Sequence, residues 1–286
     1  MSTVRREFAT SGPVDLVAEL DEGTLDIATE PADGFAVTVH GPRSEEFTIT
    51  QRGREIVVRS PRGRSWLRGE EHQVEIRVPE GSDLTARTGS ATLHARGRYA
   101  AVSVKAGSGA VLLDDAGDVA IASGSGLVRC GELSGAVRIK SGSGDVAVVA
   151  ATSDGTISTG SGSVRIGTVT RVQAVKTGSG DVQVGRLVGD LRVATGSGGV
   201  SVERMDRGGV GVRTASGDVR VGIPAGMPTW TDIATVTGRV DSRLPPVGEP
   251  GPGREHVSVR VQSVSGDVLL LALEPTEDAA EEPQDA

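Results

Sequence analysis

The chain has very few aromatic residues: three phenylalanines, two tryptophans and one tyrosine among 286 residues. Large rings usually supply much of the buried area of a globular core. A core in this chain must therefore be filled by small aliphatic side chains. Glycine compensates in number, with 41 residues, which is about twice its average share.

Cysteine and long apolar runs are also scarce. Cys130 is the only cysteine, so no intramolecular disulfide can form and an oxidising compartment is not implied. No apolar run approaches the roughly 18 residues of a membrane span, and the N-terminal segment lacks the apolar stretch of a secretory signal. We expect no membrane span and a cytoplasmic location, with non-standard export left open. The net charge of −8 selects no partner, because six of the acids lie in the last thirteen residues.

A glycine-rich hexapeptide recurs along the chain, as SGSGDV at 141–146, TGSGSV at 159–164 and TGSGDV at 177–182. The second serine of each copy defines a register that begins at residue 90. The spacing is 17 to 19 residues as far as Ser216, and then 21 and 28. The register positions are Ser90, Ser108, Ser125, Ser143, Ser161, Ser179, Ser197, Ser216, Thr237 and Ser265. Such a period indicates a repeat architecture.

Apolar residues alternate with polar ones inside each copy, as at Val146 and Val148, and this period of two predicts half-buried strands. Each copy holds two short strands and a glycine corner, too little to bury a core alone. Stacking the copies as parallel coils about 4.8 Å apart would place Val146 next to Val164 and then Val182. The sequence predicts an all-β fold: a right-handed, single-stranded parallel β-solenoid with about 18 residues per coil.

Three regions are expected. Residues 1–81 form an irregular, β-rich N-terminal cap, residues 82–272 form the solenoid, and residues 273–286 form a disordered acidic tail. A looped insertion at 242–256 accounts for the spacing of 28. The corner glycines are expected to provide positive φ or close backbone approach. The serine between them is expected to bond to the corner backbone and to the serine one coil away. Cys130 occupies an inward position and is predicted to be buried.

The lead-in VEIRVPEGSDLTARTGSATL at 74–93, followed by the repeated TGSGDV motif, resembles the bacterial putative-adhesin family of β-strand-repeat proteins of unknown function. The resemblance covers roughly residues 70–272. It implies a β-helical fold and an adhesin-like role. It implies no catalytic residues, because the family offers none to carry over.

Two chemical alternatives are weaker. A calcium-binding β-roll is suggested by the corner aspartates, such as Asp145 and Asp181, but carboxylates in alternate coils supply too few ligands. A polysaccharide-active β-helix enzyme needs clustered acids and bases, whereas the four histidines are scattered and no catalytic motif occurs. We predict no enzyme activity, no cofactor and no metal site. The remaining class is a structural or interaction protein with a flat binding face, or else a bactofilin-like filament scaffold built by end-to-end association.

Outward positions of the strand that precedes each glycine corner carry cations. These residues are predicted to bind a partner: Arg138, Lys140, Lys176, Arg192, Arg213 and Arg260. Acids fall mainly at the corners, at Asp118, Glu132, Asp145, Asp181, Asp190 and Asp218. Stacking would produce a basic stripe on one sheet, suited to an acidic protein or an anionic glycan. Nucleic acid is not expected, because this face lacks aromatic residues that could stack on bases.

Overall fold

The computed structural model describes residues 2–31, 34–61, 71–245 and 256–274. In these residues the secondary structure is β-strand apart from one 3-10 helix, Ser44–Glu46, which confirms the predicted all-β class. No helix in the described ranges is long and apolar enough to cross a membrane. The acidic tail beyond residue 274, most of the expected insertion and Trp66 lie outside the described residues.

The strands are, in chain order, β1 (Ser2–Phe8), β2 (Asp15–Leu20), β3 (Gly23–Glu30), β4 (Phe35–Gly41), β5 (Thr48–Arg52), β6 (Glu55–Arg59), β7 (His72–Pro79), β8 (Asp83–Thr88), β9 (Thr92–Ala106), β10 (Val111–Ser123), β11 (Val128–Leu133), β12 (Val137–Ser141), β13 (Val146–Ala151), β14 (Gly155–Thr159), β15 (Val164–Val169), β16 (Val172–Thr177), β17 (Val182–Leu187), β18 (Asp190–Thr195), β19 (Val200–Met205), β20 (Gly208–Thr214), β21 (Val219–Pro224), β22 (Thr229–Thr235), β23 (Val240–Arg243), β24 (Val257–Ser263) and β25 (Val268–Leu273).

Parallel pairing arranges most of these strands in two stacks. The leading sheet contains the strands that precede a glycine corner: β2, β6, β8, β12, β14, β16, β18, β20, β22 and β24. The trailing sheet contains the strands that follow it: β3, β7, β11, β13, β15, β17, β19, β21, β23 and β25. The long strands β9 and β10 contribute to both. One leading and one trailing strand make up a coil.

The predicted stacking of the valines is confirmed. Val146 is the register partner of Val164, and Val164 is in turn the partner of Val182. All three side chains are buried, as is Cys130, which lies between Leu113 and Val148 in the same sheet. Alternation in sequence therefore becomes a continuous aliphatic core between the two sheets, with few rings.

The order of the coils at the N-terminal end differs from the order in the chain. Strands β2 and β3, from residues 15–30, lie between the β6/β7 pair and the β8/β9 pair. Leu16 is the partner of Leu84, so these early residues belong to the same parallel stack as the repeats. Antiparallel strands extend this end further, with β4 and then β1 beyond β7, and β5 beyond β6. The boundary at residue 81 stays a prediction.

The C-terminal end shows the same interleaving. Strands β24 and β25 lie between β20/β21 and β22/β23, so the last copy in sequence is the last but one in space. The expectation that the copies stack in chain order is wrong at this point. The spacing of 28 arises because the chain must pass the outermost coil, 229–243, to insert 257–273 beneath it.

The glycine corners stack directly on one another, and the cause is close approach alone. A Cβ added at Gly144 would lie 2.0 Å from the carbonyl oxygen of Gly126 in the preceding coil. The corner glycines are absent from the residues with positive φ. A lateral atom at these positions would therefore separate the coils, whatever the backbone conformation.

The hydroxyl group that braces most corners belongs to a different residue from the one expected. The N–H of Gly180 donates to Oγ1 of Thr177 at 2.9 Å, and Oγ of Ser141 donates to the carbonyl of Gly144 at 2.8 Å. These buried hydroxyls lie two residues before the exposed register serine. Only at the ends does the register hydroxyl bond to the neighbouring coil, as Ser265 does to the carbonyl of Ala215. The proposed serine-to-serine bonds are absent from the described residues.

Candidate binding face

The six cations predicted to bind a partner all lie on the leading sheet and are exposed. Two come from β12, and β16, β18, β20 and β24 contribute one each. The alternation of each strand explains this placement, because neighbours such as Ile139 and Val175 point into the core. The sequence pattern thus identified one common surface from residues up to 122 positions apart in the chain.

Strand register arranges these cations in two rows. The first row contains Arg138, Thr156, Ala174, Arg192, Gly211 and Arg260. The second row contains Lys140, Ser158, Lys176, Ala194, Arg213 and Gln262. In the second row, cations alternate with small residues, so they are two coils or about 10 Å apart.

The second row continues towards the N-terminal end through two cations that the sequence interpretation missed. Lys105 is the partner of Ala122, which is the partner of Lys140, and Lys105 is also the partner of Arg87. A signal for both existed, because each lies three residues before a register serine, as Lys140 does. Arg87 is an ion-pair partner of Glu19 at 3.2 Å, whereas Lys105 has no acidic partner among the described residues.

Two adjoining grooves follow the rows and share Ala174 and Arg192. The smaller groove, about 330 Å³, has four cations among its lining residues: Lys176, Arg192, Arg213 and Arg260. Ala194 and Gly211 complete its floor and leave room between the long side chains. The larger groove, about 1030 Å³, adds Thr85, Ser103, Ala120, Arg138 and Thr156, together with Asp83, Asp118 and Asp154.

Most of the candidate cations are free to bind an anion. Among the described residues no ion pair is formed by Arg138, Lys140, Lys176, Arg192 or Arg213. Arg260 differs, because its Nε donates to Asp232 at 3.0 Å and its guanidinium lies 5.2 Å from the ring centroid of Trp230. The first five therefore provide positive charge that no neighbouring acid cancels.

The trailing sheet also carries arginines, so the positive charge is not confined to one sheet as expected. Arg186 and Arg204 both donate to Asp206. Arg165 donates to the side chain of Gln183 at 3.1 Å. Burial opposes ionisation of Asp206, but the hydrogen bonds from both arginines outweigh it and lower the pKa of that carboxyl. What distinguishes the leading sheet is the absence of such partners within the described chain.

The corner aspartates have a structural role that the sequence did not indicate. Oδ1 of Asp181 accepts a hydrogen bond from the N–H of Gly199, one coil away, at 2.8 Å. Asp145 does the same for Ser163 at 2.8 Å. The accepting aspartate and the donor amide alternate between coils, which explains why alternate copies lack the acid. Within the described ranges, no three His, Cys, Asp or Glu side chains are grouped so as to hold a metal ion.

The histidines take part in separate local contacts. The ring of His40 lies 3.0 Å from the hydroxyl of Thr3, His72 contacts the carbonyl of Pro42 at 2.8 Å, and His94 lies 3.1 Å from Asp26. Each of the three pairs is therefore a separate contact on the N-terminal coils. None of these histidines lines the two grooves.

We expect Cys130 to resist thiol reagents as long as the protein is folded. Burial raises the pKa of its thiol to about 12, so very little thiolate, the reactive form, exists at pH 8. Labelling with a chromogenic disulfide reagent should be slow in buffer and should reach one equivalent rapidly in denaturant. Rapid stoichiometric labelling of the native protein would contradict this expectation.

Comparison with known proteins gives a family but only weak structural likenesses. No curated protein matches the chain. A solved structure named a "putative lipid binding protein", from Parabacteroides distasonis, is 13% identical, with 93% of this chain and 96% of that chain covered and a TM-score of 0.47. One named a "putative adhesin", from Parabacteroides merdae, is 10% identical, with 94% and 96% covered and a TM-score of 0.47.

The family assignment rests on the sequence itself. The model of the family described as Toastrack DUF4097 matches residues 15–282. The match includes β2 to β7, which the resemblance seen in the repeat did not cover, and it agrees with their pairing in the same parallel stack. The resemblance stated from the sequence is confirmed, and the chain belongs to the Toastrack DUF4097 family.

Proposed function

We propose that this protein is a non-enzymatic, adhesin-like binding rod whose leading sheet engages an acidic protein or an anionic glycan. The observation that carries the proposal is the row of cations without acidic partners over a floor of small residues. Such an arrangement attracts a polyanion over a long, rigid surface. The family name and the adhesin named among similar structures agree with a binding role but do not identify a ligand.

The finer description of the rod belongs to the same proposal. The register advances by 18 residues from Val146 to Val164 and again to Val182, which supports a coil of that length. Right-handed winding follows from the strong preference of parallel crossovers for that hand. The antiparallel strands β1, β4 and β5 would serve as a cap that covers the N-terminal end of the stack.

An isolated rod is favoured over a filament by the composition of the outermost coil. Its inward positions include Thr229, Thr231 and Ser242, whose partners one coil inside are Val257, Val259 and Leu270. A polar terminal repeat keeps the end of a solenoid soluble. Charges on this edge, at Asp232 and elsewhere, also oppose strand pairing between copies. Negative-stain micrographs test this: filaments would support end-to-end association, and short rods would support the isolated form.

The cytoplasmic location expected from the sequence stays a prediction. An adhesin-like role requires access to a partner outside the cell, so location separates an external ligand from an internal one. Fractionation of the native cells, with protease treatment of intact cells, tests which compartment holds the protein. Degradation by external protease would contradict a cytoplasmic location.

We expect removal of the leading-sheet cations to abolish salt-sensitive binding. The variant replaces five residues by glutamine: Arg138, Lys140, Lys176, Arg192 and Arg213. Retention on a sulfonate resin and capture of an anionic ligand should fall by about tenfold or more, since several charge contacts are lost together. The melting temperature should change little, because all five side chains are exposed.

A matched variant controls for net charge. It also removes five exposed cations, but on or beside the trailing sheet: Arg129, Arg165, Arg220, Arg239 and Arg243. It should keep most of the binding of the unaltered protein to the anionic ligand. Equal losses in the two variants would mean that overall charge, and no particular face, governs binding.

A further inference from the structure

We propose that the ligand of the leading sheet is a linear acidic polysaccharide with one anionic group per disaccharide, lying along the axis of the solenoid. The inference rests on the proposed function and adds the chemical class of the ligand. It comes from the spacing of the cations in the second row, which repeats more regularly than the cations of the first row do.

The second row places a cation in every second coil over much of the rod. Lys105, Lys140, Lys176 and Arg213 are separated by Ala122, Ser158 and Ala194 respectively. Since coils are about 4.8 Å apart, the cations recur at about 10 Å along a straight line. Two pyranose rings of an extended, equatorially linked chain span close to this distance. An anionic group on alternate rings would meet one cation per repeat.

Other polyanions fit this spacing less well. Side chains on one face of an extended acidic peptide recur at about 7 Å, out of step with the row. Nucleic acid carries a phosphate about every 3.4 Å of each strand in a duplex, and single strands need aromatic platforms. Trp230 is the one aromatic residue that the described leading sheet exposes, and Arg260 lies over its ring. The spacing therefore favours a glycan over a peptide or a nucleic acid.

The floor of the groove suits the uncharged part of such a chain. Between the cations the surface consists of Ala174, Ala194 and Gly211, which let a sugar ring approach the sheet closely. Thr156 and Ser158 supply hydroxyl groups that can exchange hydrogen bonds with those of a sugar. Asp118 and Asp154 line the edge of the larger groove, and each uses Oδ1 to accept a backbone N–H from the next coil. The rim is thus held rigid by the fold.

The test uses hyaluronan, which has one carboxylate per disaccharide, and inorganic polyphosphate, whose charges are much closer together. The variant Ser158→Lys with Lys176→Ser moves one cation by a single coil and keeps the net charge. Both positions are outward on the leading sheet, so folding should be unaffected. We expect the dissociation constant for hyaluronan to rise about fivefold, the order expected when one charge contact is lost, and the constant for polyphosphate to stay the same.

A second variant separates this inference from the proposed function. Replacing Lys140, Lys176 and Arg213 by glutamine should weaken binding to both polymers, and replacing Arg129, Arg165 and Arg220 should weaken neither. Unchanged hyaluronan affinity in the relocated variant, with a loss in the glutamine variant, would overturn the spacing and leave the basic face. Binding of polyphosphate but not hyaluronan by the unaltered protein would overturn the glycan class. Equal binding by all variants would overturn the proposed function itself.

Discussion

Val182→Asp should unfold the protein or leave it only marginally stable. The side chain is fully buried, and its register partners are Val164 in one coil and Val200 in the next. A carboxylate here would lie between stacked valines without a hydrogen-bond donor of its own, which costs several kcal/mol. That cost is comparable to the whole stability of a typical domain. Chemical denaturation followed by far-UV circular dichroism measures the loss.

Two neighbours on the same strand and corner provide controls. Gln183→Asp adds the same carboxylate to an outward position beside Arg165, so the free energy of unfolding should change by less than about 1 kcal/mol. Asp181→Asn keeps the oxygen that accepts the N–H of Gly199 and should also cost little. Losses of similar size in Val182→Asp and Gln183→Asp would contradict a core made of stacked aliphatic residues. A large loss in Asp181→Asn alone would point to a metal or a charged network at the corners.

The central coils were predictable because one physical requirement dominates them. A strand that buries one face must alternate, and a chain that repeats this every 18 residues can satisfy it by stacking like on like. Val146, Val164 and Val182 therefore came out as partners. The cation rows followed from the same register, because a residue next to an inward position must point outward.

The ends were not predictable on these grounds. A strand pair such as β24/β25 can hydrogen-bond to either open edge, and its alternation is the same whether it lies beneath or beyond β22/β23. The spacing of 28 shows only that an extra segment exists. A hint was present in the inward threonines of β22, since Thr231 next to Val259 indicates a coil with one face open to water.

The corner hydroxyls illustrate a different limit. Both Thr177 and Ser179 recur with the same period, so repetition alone could not tell which one bonds to the corner. Burial decides it, because Thr177 is enclosed and receives the N–H of Gly180, whereas Ser179 is exposed. The same ambiguity applied to the glycines, for which the sequence allowed positive φ or close approach, and only the second occurs.

Gly198→Ala should be strongly destabilising, and Gly199→Ala should be tolerated. A Cβ at Gly198 would lie 1.9 Å from the carbonyl oxygen of Gly180 and 2.5 Å from its carbonyl carbon. Both atoms are backbone, so the clash is relieved only by moving two coils apart, at a cost of about 3 kcal/mol or more. Paired thermal melts and denaturant titrations of the two variants measure the difference.

Gly199 makes the comparison sharp, because it is the adjacent residue and undergoes the same substitution. Its added Cβ would meet nothing closer than Oδ1 of Asp181 at 3.5 Å, and its φ is not positive. Alanine there restricts the unfolded chain and should leave stability unchanged or slightly raised. Only the first copy carries alanine at the stacked position, as Ala91, and the next coil already fits against it through Gly109. Equal effects at 198 and 199 would mean that the glycines are required for backbone flexibility; a loss at Gly198 alone would mean that each corner is glycine because another corner lies directly against it.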